Sequence, residues 1–127
     1  MTGREVFAKH GLKSMVDVLG VEYDILYRLP GEDEYLKQED IGGYCDFYSK
    51  IIVINVEEET AVIDFTAYLK KNLRHEIVHA FFYESGLAFN SGRITNQGWA
   101  VNEELIDWIA IQGEKVHNAW KETGCDV

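Results

Sequence analysis

Two histidines four residues apart, with a glutamate directly after the first, occur once in the chain, as His75-Glu76-Ile77-Val78-His79. On a helix, His75 and His79 stand one turn apart on one face, and Glu76 lies at the flank of that face. Two imidazole nitrogens placed in this way can reach a single ion, and zinc accepts such nitrogens at about 2.0–2.1 Å. A catalytic zinc site takes a third protein ligand and keeps a further position open, so the motif supplies two ligands of three. A carboxylate beside the ion acts as general base, taking a proton from the attacking water and passing it to a leaving amine. Glu76 is the candidate for that role.

The third ligand has to arrive after a chain reversal, and Asn102-Glu103-Glu104-Leu105-Ile106-Asp107 offers one. On a helical wheel Glu103 and Asp107 share a face. Glu103 falls about 20–60° from Ile106 and Ala110, at the margin of an apolar stripe, whereas Glu104 points away. Glu103 is therefore the preferred ligand, with Glu104 as the alternative. Asp107, one turn on, is placed to accept the second ring N–H of a metal-bound imidazole, and His75 is its expected partner. His117 is a further candidate, but it lies 14 residues beyond Glu103. That is about 21 Å along a continuous helix, so the two cannot share an ion unless Gly113 interrupts it.

The elements that must position these groups follow from periodicity. From Thr60 to Glu84 there is no glycine or proline, and Leu69, Leu73, Ile77, Ala80 and Phe81 recur at threes and fours, which predicts one long helix. Ser85-Gly86-Leu87 closes it, with Gly86 suited to a left-handed cap. Residues 88–98 read as a connecting loop, and residues 99–122 as a final helix with Val101, Leu105, Trp108 and Ile109 on its apolar side. Trp99, Trp108 and Trp120 are expected to fill the core or clamp the loop. Residues 5–19 predict an N-terminal helix stopped by Gly20. Val21, Tyr23, Ile25, Tyr27 and Leu29 alternate as in a half-buried strand. Residues 43–47 and 51–56 read as a hairpin. The expected fold class is α+β, with a mixed or antiparallel sheet of about three strands packed on the long helix and flanked by N- and C-terminal helices.

Composition narrows the function classes. A chain of 127 residues is one domain, 1–127, built around a single core. The formal charge of −10 argues against nucleic acid as a partner, since general affinity for phosphate backbones draws on clustered Lys and Arg. The acidic runs Glu32-Asp33-Glu34 and Glu57-Glu58-Glu59 read as solvated loops. No apolar stretch suits a secretory leader or a membrane span, so the expectation is a cytoplasmic protein with no membrane partner, its Cys45 and Cys125 reduced.

The two polar segments together resemble the zincin metallopeptidases of the gluzincin type, the second being similar to the Asn-Glu-x-x-x-Asp element of thermolysin-like enzymes. The resemblance implies zinc ligation by His75, His79 and Glu103, general-base action by Glu76 and support of a histidine by Asp107. It extends over about positions 72–110. In length the chain is more similar to the small zincin-like proteins encoded by bacteriophages and prophages, an impression carried by Leu73 to Phe81, Trp99 and Asn102-Glu103-Glu104. In that fold an edge strand lies over the metal helix and the substrate pairs with it as an additional strand. Tyr44-Cys45-Asp46-Phe47-Tyr48 matches this role, which makes Tyr44, Asp46 and Tyr48 substrate-binding candidates. Thermolysin-like enzymes draw oxyanion donors from a second lobe that a chain of this length lacks, leaving Tyr48, Tyr83 and His117 as substitutes.

The implied activity is zinc-dependent hydrolysis of an amide bond in a peptide or protein substrate. The alternative is a catalytically silent domain of the same fold that acts through protein contacts. Glu76 speaks against it, because a purely structural zinc site has no use for a base there and closes its fourth position. A zincin acting on DNA-attached proteins is disfavoured by the acidic balance.

Overall fold

The computed structural model describes residues 2–90 and 99–127, with Asn90 described by its backbone alone. The first helix, α1 (Gly3–His10), opens on a capping box in which the Thr2 hydroxyl accepts from the Glu5 N–H and the Glu5 carboxylate accepts from the Thr2 N–H. It stops at Gly11, whose φ of 65° is left-handed. The segment expected to continue this helix is instead a strand, β1 (Met15–Val18). Beyond the Gly11 cap, exposed Met15 and Asp17 alternate with half-buried Val16 and fully buried Val18, a period of two. Leu19 and Gly20 both take positive φ, at 51° and 87°, so the chain reverses in the two-residue turn that matches strand twist. β2 (Val21–Arg28) follows antiparallel to β1, with Tyr23, Ile25 and Tyr27 buried.

The acidic stretch after Pro30 carries more structure than a solvated loop. A 3-10 turn (Pro30–Glu32) leads into α2 (Glu34–Glu39), and Asp33 between them is buried. Its carboxylate accepts from the Leu36 N–H, from Arg28 Nη1 at 2.8 Å and from the Tyr44 hydroxyl at 2.6 Å. β3 (Gly43–Asp46) and β4 (Ile51–Asn55) form the expected hairpin. The sheet thus has four strands in the order β1-β2-β4-β3, rather than about three, because β1 was hidden in the segment read as helix. β2 and β4 pair in parallel, the other neighbours antiparallel, and among the described residues β3 is an edge.

The long helix α3 (Phe65–Glu84) starts where the Asp64 carboxylate accepts from the Ala67 N–H. Leu69 and Ala80 carry it into the core formed with Tyr23, Ile25, Ile52, Ile54 and Val56. At its far end the Glu84 carboxylate accepts from Tyr23 Oη and Lys50 Nζ, each at 2.6 Å, which ties the last turn to the sheet. Gly86 takes a φ of 83° and a short helix α4 (Leu87–Asn90) follows, so the expected loop begins as helix; residues 91–98 lie outside the described residues. After a 3-10 turn (Trp99–Val101), α5 (Glu103–Thr123) packs on α3 through buried Ile106 and Ala110. Trp99, Trp108 and Trp120 are each about half exposed rather than core residues. Only the first half of α5 meets α3 with buried side chains, and beyond Gly113 its residues are exposed apart from half-buried Val116. The architecture is α+β, and among the described residues no helix is long and apolar enough to cross a membrane.

Candidate metal centre

The middle of α3 faces the free edge of β3 across a cleft of about 600 Å³. Two glycines bring the strand this close. A Cβ at Gly43 would lie 2.7 Å from the Val53 carbonyl oxygen and 3.4 Å from Glu76 Cγ, and one at Gly42 would lie 2.9 Å from Asn72 Nδ2. A side chain at Gly43 would meet the β4 backbone, and one at Gly42 would meet the Asn72 amide. The opposite side of the cleft is closed by the start of α5, where the Asn102 side chain caps the helix by accepting from the Leu105 N–H at 2.9 Å. Glu103 therefore falls in the first turn, where the helix dipole favours a carboxylate.

His75, His79 and Glu103 form a group able to hold a metal ion, their donor atoms all within 4.8 Å of one another. His75 Nε2 is 2.8 Å from Glu103 Oε2, and His79 Nε2 is 3.1 Å from Glu103 Oε1. His75 Nδ1 donates to Asp107 Oδ1 at 2.7 Å. With its proton held there, the second nitrogen of a neutral His75 offers a lone pair toward a carboxylate oxygen, and two acceptors at that distance repel unless a cation or a proton lies between them. The donor set, two imidazole nitrogens and one carboxylate, is one that could hold a metal ion. Burial pushes the His79 pKa down, with Glu103 opposing, so a proton is the less favourable bridge at that contact.

Glu76 is 7% exposed and its Oε2 lies 3.9 Å from His75 Nε2. Burial raises its pKa to about 7; His75 opposes the rise, and Glu103 and Asp107 add to it. Lys71 Nζ approaches Asp107 Oδ1 at 4.0 Å. Arg74 Nε donates to the Ala110 carbonyl at 2.6 Å, clamping α5 to α3 one turn from Asp107.

Of the substrate-binding candidates, Tyr44 lines the cleft, whereas Asp46 lies at the end of β3 with its carboxylate accepting from the Ser49 N–H, outside the cleft wall. Tyr48 is 83% exposed and packs on Phe47, also outside the wall. Among the candidate oxyanion donors Tyr83 lines the cleft; Tyr48 and His117 do not. Glu104, the alternative ligand, is exposed and belongs neither to the metal-holding group nor to the cleft lining. Cys45 lines the cleft as a free thiol whose pKa burial raises to about 12, with Glu76 and Asp46 adding to it, which keeps it protonated and unreactive.

Sequence reasoning missed Tyr68, Lys71 and Asn72, which line the same cleft. The signal was present, since Tyr68, Asn72, Glu76, His79 and Tyr83 recur at threes and fours and so form one polar stripe along α3. Comparison with protein-family models, with curated proteins and with solved structures returns no match.

Proposed function

We propose that the chain is a zinc-dependent hydrolase of peptide bonds, organised as in zincin metallopeptidases. The observation that carries this reading is the convergence of His75 Nε2, His79 Nε2 and the Glu103 carboxylate beside a buried glutamate, in a cleft bordered by a free strand edge. Zinc held by the three groups would supply Lewis acidity, activating water and polarising a carbonyl.

The remaining work falls to the chain's own side chains. Glu76, beside the ion-holding group and not part of it, takes a proton from the attacking water and delivers it to the leaving amine nitrogen. Asp107 fixes the orientation and tautomer of His75. An extended peptide pairs its backbone with the free edge of β3 between Gly43 and Asp46, bringing one carbonyl over the centre. Of the candidate oxyanion donors, Tyr83 lines the cleft, and its hydroxyl would donate to charge developing on that carbonyl oxygen.

The test is zinc content by elemental analysis together with cleavage of a peptide library, for the parent and Glu76→Gln. The expected result is about one zinc per chain in both and cleavage in the parent alone, reduced at least ~100-fold by the substitution. A parent that holds no zinc after reconstitution removes the metal reading. Zinc without Glu76-dependent cleavage favours a domain that acts by binding a protein partner.

A further inference from the structure

Asn72 lies one turn before Glu76 on α3, is 8% exposed, and its side-chain Nδ2 is fully buried with no hydrogen-bond partner among the described residues. Buried donors are rarely left in this state, because the lost hydration goes uncompensated. Two backbone acceptors of the facing segment are already engaged. The Ile41 carbonyl accepts from Asn55 Nδ2 at 3.1 Å, and the Gly42 carbonyl accepts from the Asn55 N–H at 2.9 Å. Gly42 presents no side chain to cover the amide. The wall opposite Asn72 is thus pinned by β4, and the orphan donor borders the same cleft as the candidate centre.

We infer that Asn72 is a specificity-determining residue, forming a pocket for a substrate side chain that ends in a neutral amide, glutamine or asparagine. The inference rests on the reading of the cleft as a peptide site. A small shift of the Asn72 side chain away from Gly42 would open Nδ2 to the cleft, and a ligand oxygen would then satisfy it, whereas an aliphatic side chain would leave the donor unpaired in a dried pocket. A carboxylate would supply an oxygen but faces Glu76, Glu103 and Asp107 in the cleft. It also faces Asp40, Glu57, Glu58 and Glu59 in an adjoining cavity that shares Ile41, Gly42 and Tyr68 with it. Among the described residues that line the cleft the one lysine or arginine, Lys71, is already opposed by Asp107 at 4.0 Å, and the charge of an ion at the centre would be offset by Glu103, Glu76 and Asp107. A neutral amide meets both conditions, and the Tyr68 ring and Ile41 line the cleft where the methylenes of a glutamine would lie. One helical turn is about 5.4 Å and one extended residue about 3.3 Å, so the selected residue is within one or two positions of the bond over the centre.

The experiment uses zinc-loaded, ¹⁵N-labelled Glu76→Gln protein, which cannot consume its ligand. It is titrated with capped alanine heptapeptides carrying Gln, Glu or Leu at each position in turn. Binding constants are read together with the Asn72 side-chain amide resonances, assigned by their loss in an Asn72→Leu background. One register of the Gln peptide is expected to bind about tenfold or more tighter than its Leu and Glu counterparts and to shift those resonances. Asn72→Leu should prefer the Leu peptide in that register. If that variant does not fold, Asn72→Asp, which removes the donor at nearly the same volume, should lose the Gln preference. An unchanged ranking in either folded variant, or no selective binding by the parent background, overturns the inference. Cleavage of the same peptides by protein with Glu76 intact separates the two readings. Cleavage with a preference indifferent to Asn72 retires the pocket alone, and an Asn72-dependent Gln preference without cleavage retires hydrolysis and keeps the pocket.

Discussion

Burial leaves Glu76 with a proton affinity unlike that of an ordinary carboxylate, and this has a consequence for stability in the ion-free protein. Its pKa rises from 4.5 to about 7 on folding. Between those values the folded chain keeps a proton that the unfolded chain releases, so each increase in pH disfavours the folded state. The penalty is absent below 4.5, grows through the interval and is complete above about 7. A shift of this size corresponds to about 3 kcal/mol, taken as an order of magnitude. In the presence of a chelator, Glu76→Gln should therefore raise stability by about 1–3 kcal/mol at pH 8 and by much less at pH 4.5, measured by urea denaturation of both proteins at both pH values. An equal gain at the two pH values would attribute the effect to packing instead of ionisation. The side chain proposed as the base is on this account a cost to the ion-free fold.

At the scale of elements, the strand that borders the centre is paired to β4 and tied to β2 and α2 by one buried carboxylate. Asp33 caps α2, pairs with Arg28 on β2 and accepts from Tyr44 on β3, so it joins three elements around the cleft. Although burial alone would raise its pKa, the hydrogen bonds from Tyr44, Leu36 and Arg28 win and lower it. Its contribution is then present above the ordinary carboxylate range and lost as pH falls through the folded value. Asp33→Ala should cost about 2–4 kcal/mol at pH 7, with the deficit shrinking on acidification, as read from denaturation curves at pH 7 and pH 3. This hub was illegible in the sequence, where Glu32-Asp33-Glu34 looked like solvated charge, because Arg28 and Tyr44 arrive from other strands. β1 was missed for a different reason: four residues with two valines fit a helix or a strand by spacing alone, and the left-handed Gly11 and the Leu19-Gly20 turn decide between them. By contrast α3, α5 and the β3–β4 hairpin were legible because their periodicities are long or alternate cleanly. The grouping of His75, His79 and Glu103 was readable for the same reason, needing only two helices and one reversal. Asn72 was not, since what makes it informative is an unmet hydrogen bond, a tertiary property.

For the whole molecule, the candidate centre is also a cross-link. Two of its ligands belong to α3 and one to the first turn of α5, which otherwise meets α3 through buried Ile106 and Ala110, the Arg74 bridge and the Asp107 contacts with His75 and Lys71. An ion that binds the folded chain and not the unfolded one stabilises by mass action, about 4 kcal/mol when free zinc is a thousandfold above its dissociation constant. For a chain of 127 residues that should raise the melting temperature by about 10 °C or more. Hydrogen exchange should slow most in the first turns of α5, where the ion would add a tether. Glu103→Ala is the discriminating variant because the Glu103 side chain is 67% exposed, so its loss costs the ion-free fold little. The variant should melt close to the parent in chelator, yet gain only a small part of the parent's increase in zinc. A full increase in Glu103→Ala would mean that Glu103 is not a ligand and that the ion is held on α3 without the first turn of α5.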